Sequence, residues 1–169
     1  MNSGASNPSS SQRSQTPSTA AQPAAEPSIV TIEMASINDQ VILQQLFEAA
    51  QLEGHTHAGD TGSDLTEIET TYLDNETNSG LWVAKHQEQI VGMIGVQLKG
   101  DDQAEVRRLR VRKDFRRKGV GTMLMEQALS HCSSRGFLKV SLDVRIERGP
   151  AISMFNKFGF SHARTRDID

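Results

Sequence analysis

The stretch Arg116-Arg117-Lys118-Gly119-Val120-Gly121 stands between an alternating run, "AEVRRLRV", and a helical run, "TMLMEQALSHC". Two glycines at a strand-to-helix junction let a ligand approach the backbone closely, and the first turn of a helix presents N–H groups with no partner inside it. Those amides and the positive end of the helix dipole make an anion site, where a phosphate gains up to about 2 kcal/mol from the dipole alone. The local charge has the matching sign. From Glu105 to Lys118 there are eight basic and two acidic side chains, a local +6 in a chain of formal net charge -3. A polyphosphate suits this place, but two common nucleotide motifs fail. Gly-Lys-Ser/Thr is absent, and Gly119-Val120-Gly121-Thr122-Met123 is followed by Leu124 where the dinucleotide fingerprint needs glycine.

Composition bounds the remaining classes. At 169 residues the chain is long enough for one domain with a core. Its net acidity and 5% aromatic content offer neither the bulk basicity nor the stacking platform of a nucleic-acid binder, so none is expected as a partner. The single cysteine, Cys132, permits no intrachain disulfide, and no Cys/His cluster has zinc-ligand spacing. A reducing, cytoplasmic setting and no metal are the expectations. No apolar run is long enough to span a bilayer, and the start lacks a charged segment followed by an apolar one, so neither a membrane nor a secretory signal is expected. Residues 1–28, rich in Ser, Pro and Ala, have too little to bury to offset the entropy of ordering and are predicted to form a disordered tail. Residues 29–169 are predicted to form the folded domain.

The elements that must position the glycine loop follow from periodicity. "IVTIEMA" has the β-branched density of a strand, and "QVILQQLFEAAQL" places Val41, Ile42, Leu46, Ala49 and Ala50 near helical spacing until Gly54 stops it. Asp64 and Glu67, at capping-box spacing, predict a second helix over 63–73. "LWVAKH" and "IVGMIGVQLK" read as a hairpin, and "AEVRRLRV" as a central strand or a bulged one, because Val106, Leu109 and Val111 do not share a face by simple alternation. A helix over 119–135 carries Val120, Met123, Leu124, Ala128 and Cys132 on one stripe before Gly136. "FLKVSLDV" is predicted as a strand, "PAISMFNKF" as a helix opened by Pro150 and closed by Gly159, and "FSHAR" as a last strand. The predicted class is therefore α/β (α+β), with a mixed sheet flanked by helices in the order β-α-α-β-β-β-α-β-α-β.

The pattern R-x-x-G-x-G formed by Arg116, Gly119 and Gly121 resembles the Q/R-x-x-G-x-G/A motif of the GNAT superfamily of acetyl-CoA-dependent N-acetyltransferases. The segment from Ala104 to Val144, followed by "PAISMFNKFGF", is similar to that family's strand, loop, helix, strand and final helix in order. The clear likeness covers roughly residues 80–160, and residues 29–80 match in element order alone. The resemblance implies a GNAT-like, mostly antiparallel sheet whose fourth strand carries a bulge and splays from the fifth. Pantetheine of the co-substrate acetyl-CoA would lie in that cleft against the backbone of Leu109, Arg110 and Val111. The diphosphate would rest on the amides from Arg117 to Thr122, through Lys118, Gly119, Val120 and Gly121, with the Arg116 side chain secondary. The family usually ends in a seventh strand, for which "SHARTRDID" after Phe160 is too short. A truncated product, an open edge, or a homodimer whose second copy supplies the strand are the readings this leaves.

Transfer to an amine requires its neutral form, about one molecule in 2,500 for a lysine-like amine at pH 7. Glu105 is the candidate general base, because it lies six residues before Val111, similar to the offset in the superfamily's histone acetyltransferases; the alternative is a surface carboxylate paired with Arg107. Where many family members carry a tyrosine to protonate the leaving thiolate, this chain has Phe155, so water is expected to deliver that proton. Cys132 falls on an apolar stripe and reads as a buried, inert thiol. His55 and His57 lack a third ligand for a metal and read as substrate contacts. Residues 41–80 contain no Lys or Arg but eight carboxylates: Glu48, Glu53, Asp60, Asp64, Glu67, Glu69, Asp74 and Glu76. In the family this segment lines the acceptor site, so a cationic amine is expected. A non-catalytic acyl-CoA-binding or sensing module is the alternative function.

Overall fold

The computed structural model describes residues 29–143 and 148–163; the tail expected at 1–28 lies outside them. Five strands, β1 (Val30–Met34), β2 (Gly80–His86), β3 (Gln89–Gly100), β4 (Gln103–Val111) and β5 (Lys139–Leu142), form one sheet in sequential order. The first four pair antiparallel, and β4 pairs with β5 in parallel because a helix, α2 (Val120–Ser134), carries the chain back between them. The β2–β3 connection is only two residues long. Gln87 and Glu88 both take positive φ (48° and 64°), the backbone that a tight hairpin with native twist demands.

Both faces of the sheet are covered, which is why β2 reads as an unbroken apolar run. Leu81 and Val83 turn toward α1 (Gln40–Leu52), where they meet Leu43, Leu46, Phe47, Leu65, Ile68 and Tyr72. Trp82 and Ala84 turn the other way, onto α2 and α3 (Gly149–Lys157), with Val120, Leu124, Met125, Ala128, Cys132 and Phe155. The buried stripe of α1 is Leu43, Leu46, Phe47 and Ala50, while Val41 and Ile42, expected inside, are 61% and 41% exposed. The helix is thus rotated so that Phe47 faces the sheet.

Two expected elements are corrected. Residues 63–73 form a 3-10 turn at Ser63–Leu65 and a π turn at Glu69–Leu73 instead of a regular helix. Asp64 does not cap a helix: its carboxylate accepts from Arg108 and from the Tyr72 hydroxyl (2.5 Å). The Thr66 and Thr70 hydroxyls bond back to Ser63 O and Glu67 O, a local competition with regular helical structure. The second correction concerns the last strand. After α3 the chain turns at Gly159 (φ 90°), Phe160 N–H donates to Phe155 O at 3.1 Å, and the Phe160 ring packs edge-on against Phe155. Residues 160–163 therefore join no ladder, and β5 is shorter than expected at both ends. Among the described residues no helix is long and apolar enough to cross a membrane.

Candidate active site

The site begins with an extra residue in β4. Between the pairs Gly95↔Arg107 and Met93↔Arg110, β3 advances two residues and β4 three. Arg108 absorbs the excess in a left-handed conformation, φ 59°. This bulge brings Val106, Leu109 and Val111 onto one face, packed against the α2 side of the core. Pairing with β5 ends just before it, at Val106↔Leu142, while β4 continues to Val111 against β3 alone. The two parallel strands therefore diverge. Arg112 N–H donates to Val91 O (2.8 Å), so by alternation Val111 aims its own N–H and C=O toward the side that β5 has left.

At the end of β4 a 3-10 turn, Lys113–Phe115, leads into the glycine loop. Arg117 and Gly119 both adopt left-handed backbone (φ 59° and 80°), and the first bond of α2 runs from Met123 N–H to Gly119 O at 3.1 Å. No side chain caps this helix, so the amides of Val120, Gly121 and Thr122 have no partner within it. Gly119 is required by its φ. A Cβ on Gly121 would meet only Met154 Sδ at 3.6 Å and Val111 Cγ2 at 3.9 Å, ordinary contacts, so crowding within the protein does not explain the glycine there.

The basic side chains of the loop are largely engaged elsewhere. Arg116 donates to Glu53 (2.6 and 3.0 Å) and to Val111 O (3.0 Å), tying the loop to the end of α1. Arg112 and Lys118 lie over the Phe115 ring, and Arg112 also pairs with Asp114. Any diphosphate recognition here falls to the amides and to exposed Arg117 and Lys118.

A cleft of about 690 Å³ opens on the α1 side of β4 and reaches through the splay to Phe155. Leu109 and Arg110 line it, as do Glu67, Glu105 and Asp143. Glu105 is half-buried, 3.3 Å from Lys99 Nζ and 3.2 Å from Arg107 Nε. The ion pair with Arg107 considered from sequence is thus present, on a residue that also faces the cleft.

Sequence reasoning missed a buried cation at the centre of the site. The Arg108 guanidinium, its side chain only 4% exposed, donates to both oxygens of Asp60 (2.6 and 2.9 Å) and both oxygens of Asp64 (2.9 and 2.5 Å) and stacks 4.9 Å from the Phe47 ring. Burial, the largest single influence, would raise the Asp60 and Asp64 carboxyls, but the hydrogen bonds from Arg108, those from Gly62 N–H and the Tyr72 hydroxyl, and the charges of Arg108 and Arg107 together outweigh it and hold both below the ordinary aspartate range. Tyr72, seated over Gly95, completes the network; burial and then the Asp64 charge push its phenol up. The only advance signal was the broken alternation at Arg107-Arg108.

Three of the eight carboxylates in the acidic segment are therefore ion-paired, Asp60 and Asp64 sharing Arg108 and Glu53 on Arg116, which leaves one net negative charge among them. Glu67 remains on the cleft wall, and Glu48, Glu69, Asp74 and Glu76 are exposed. His57 lines the cleft 3.6 Å from Asp143, and His55 lies 3.5 Å from Glu53. Cys132 is 2% exposed and burial raises its thiol, so it is no accessible acyl carrier.

Arg110 was expected from sequence only as backbone beside the pantetheine, and Arg148 was not expected in the site. Arg110 and Arg148 both line the cleft, and burial, then mutual repulsion, brings the Arg110 guanidinium down to about 10. Arg148, at the head of α3, is lowered by burial and then by Arg116. His55 is lowered as well, by burial and then by Arg148.

A strand splayed at a bulge, an open amide arc at a helix head and a cleft on the far face define an acyl-transferase type of scaffold. The model of the Acetyltransferase (GNAT) family matches residues 43–160, well over half of the chain, and the protein belongs to that family. It is 30% identical over 103 residues to the probable N-acetyltransferase camello of Xenopus tropicalis, covering 60% of this chain and 47% of the relative. It is 30% identical over 99 residues to an N-acetylaspartate synthetase of Danio rerio, covering 58% and 35%. The chain thus spans at most about half the length of these curated relatives. Among solved structures, an acetyltransferase from Streptococcus agalactiae superposes with a TM-score of 0.72 at 19% identity, covering 83% of this chain and 88% of that one. A predicted acetyltransferase from Clostridium acetobutylicum, solved with acetyl-CoA, superposes with a TM-score of 0.67 at 15% identity, covering 83% and 96%. These structures share the fold.

Proposed function

We propose that the chain transfers the acetyl group of acetyl-CoA to a primary amine. The observation that carries this reading is the coincidence, along β4, of the bulge, the divergence of β5 and the cleft, with the unpartnered amides of Val120, Gly121 and Thr122 at the head of the helix into which β4 leads. Pantetheine runs along Leu109, Arg110 and Val111 as a substitute strand on the side that β5 no longer covers, meeting the Val111 N–H there, while Leu109 O and Val111 O already accept from Arg110 and Arg116. The diphosphate lies on the amides from Arg117 to Thr122, where Gly121 leaves the backbone open. Family membership and the names of the relatives support the same donor and reaction.

The acceptor enters from the α1 face as an ammonium, with Glu67 and Glu105 on the wall to meet it. Glu105, directly or through a water, takes the amine proton as nitrogen attacks the thioester carbonyl in a ternary complex. The tetrahedral intermediate collapses with loss of the CoA thiolate. A thiol pKa near 8.5 makes that thiolate a tolerable leaving group without the tyrosine that Phe155 replaces, and water returns the proton. Phe155, 7% exposed, acts as an apolar wall between the core and the donor cleft.

Glu105→Gln tests the assignment of the base. The variant keeps the shape of the side chain and is expected to lower kcat about 100-fold at pH 7. The deficit should shrink near pH 10, where the amine supplies its own neutral form. An unchanged kcat, or a loss independent of pH, would leave Glu105 as a wall residue paired with Lys99 and Arg107.

A further inference from the structure

The acidic end of the cleft accounts for an ammonium but not for the arginines at its other end. Arg110 donates to two carbonyls, Leu109 O (2.7 Å) and His55 O (3.3 Å), and its buried Nε has no partner. Among the described residues neither Arg110 nor Arg148 lies within ion-pair distance of a carboxylate. The acids that could serve are engaged: Glu53 on Arg116, Asp60 on Arg108, and Asp143 near His57 with a further contact of its own. Two guanidiniums that repel each other across a half-buried cleft, one with a buried N–H unmet, are an arrangement completed by an anion.

We infer that Arg110 and Arg148 hold an anionic group of the acceptor, so that the substrate is an amine bearing a carboxylate, as an amino acid or a peptide carboxy-terminal residue does. This inference rests on the N-acetyltransferase reading. Position favours the acceptor over the phosphates of CoA as the source of the anion. Arg110 reaches His55, in the segment that follows α1, and Arg148 reaches the same cleft from the head of α3, whereas the amides proposed for the diphosphate head α2, on the face of the sheet opposite α1, and do not line the cleft. The remaining cleft charges fit a zwitterion: Glu67 and Glu105 for its ammonium, Arg110 and Arg148 for its carboxylate.

The test is thiol release from acetyl-CoA with phenylalanine, phenylalaninamide and 2-phenylethylamine as acceptors, on the full chain and on Arg148→Gln. The amide is the less basic amine and presents more of its reactive neutral form, so a preference for the acid cannot come from amine basicity. The expected result is a kcat/KM at least about tenfold higher for phenylalanine than for the amide. Arg148→Gln should remove that preference through the KM for phenylalanine, leave the acetyl-CoA Kd in place, and be partly rescued by Arg148→Lys. Equal or better use of the amide and of phenylethylamine would overturn the inference while leaving N-acetyl transfer intact. A weakened acetyl-CoA Kd in Arg148→Gln with unchanged acceptor preference would assign the arginines to the cofactor and overturn it as well. Acetyl-CoA binding without thiol release to any acceptor would overturn both readings together.

Discussion

Arg108→Ala is expected to destabilise the fold by about 3–5 kcal/mol, enough to unfold a domain of ordinary stability under mild denaturant. The substitution leaves Asp60 and Asp64 as uncompensated charges beneath Phe47, with Tyr72 bonded to one of them. The effect comes less from a lost attraction than from two carboxylates whose desolvation nothing offsets. Arg108→Lys should recover only a fraction, because an ammonium cannot serve both carboxylates with the planar fork that donates four bonds here. The same network sets an acid limit. Asp60 and Asp64 have folded pKa values below their unfolded ones, so their contribution is fully present above the ordinary aspartate value of about 3.9 and is lost as pH falls through the lower folded values. Urea denaturation at pH 7 and pH 3 measures both effects. A loss under about 1 kcal/mol at pH 7 would mean that the network is solvated and does not clamp the cleft.

Gly121→Glu is expected to weaken acetyl-CoA binding more than 100-fold while leaving the fold in place. The Cβ meets only Met154 and Val111 at ordinary distances, so the helix accepts a side chain at this position. The carboxylate, however, is set beside the amides of Val120 and Thr122, where the diphosphate is proposed to lie. At an effective dielectric near 20 and about 5 Å, each like-charge pair costs about 3 kcal/mol, which alone exceeds a hundredfold. Isothermal titration reads the affinity, and thermal unfolding checks that the variant is folded. Unimpaired binding would move the diphosphate away from the head of α2.

The parts of the fold that were legible in the sequence were those governed by local rules. The glycines at 54, 136 and 159 end their helices with positive φ, as helix ends require, and the runs read as strands from their apolar content and short turns became β2, β3 and β4. The misalignment of Val106, Leu109 and Val111 left a central or a bulged strand as alternatives, and the strand is bulged at Arg108. What escaped depended on contacts distant in sequence. Nothing near Asp64 indicates that its carboxylate will face Arg108, 44 residues away, instead of capping a helix. The rotation of α1 is of the same kind: Val41 and Ile42 have the apolar character of core residues, but the face that carries Phe47 is the one that fits beneath Arg108. Arg116 likewise stood in the anion motif by type, while its side chain bridges to Glu53. Charge counted along the chain proved a poor guide to charge facing the cleft, because three of the eight acids are paired with two of the arginines.

The most direct test of the account is to follow thiol release and the mass of the product when the full chain meets acetyl-CoA and a panel of amines and amino acids, with Gly121→Glu run in parallel. The account predicts thiol formed one for one with an N-acetylated acceptor, and neither formed above background by the variant. Tight acetyl-CoA binding with no acetylated product across the panel would contradict it and leave a domain that holds the acyl donor without transferring from it.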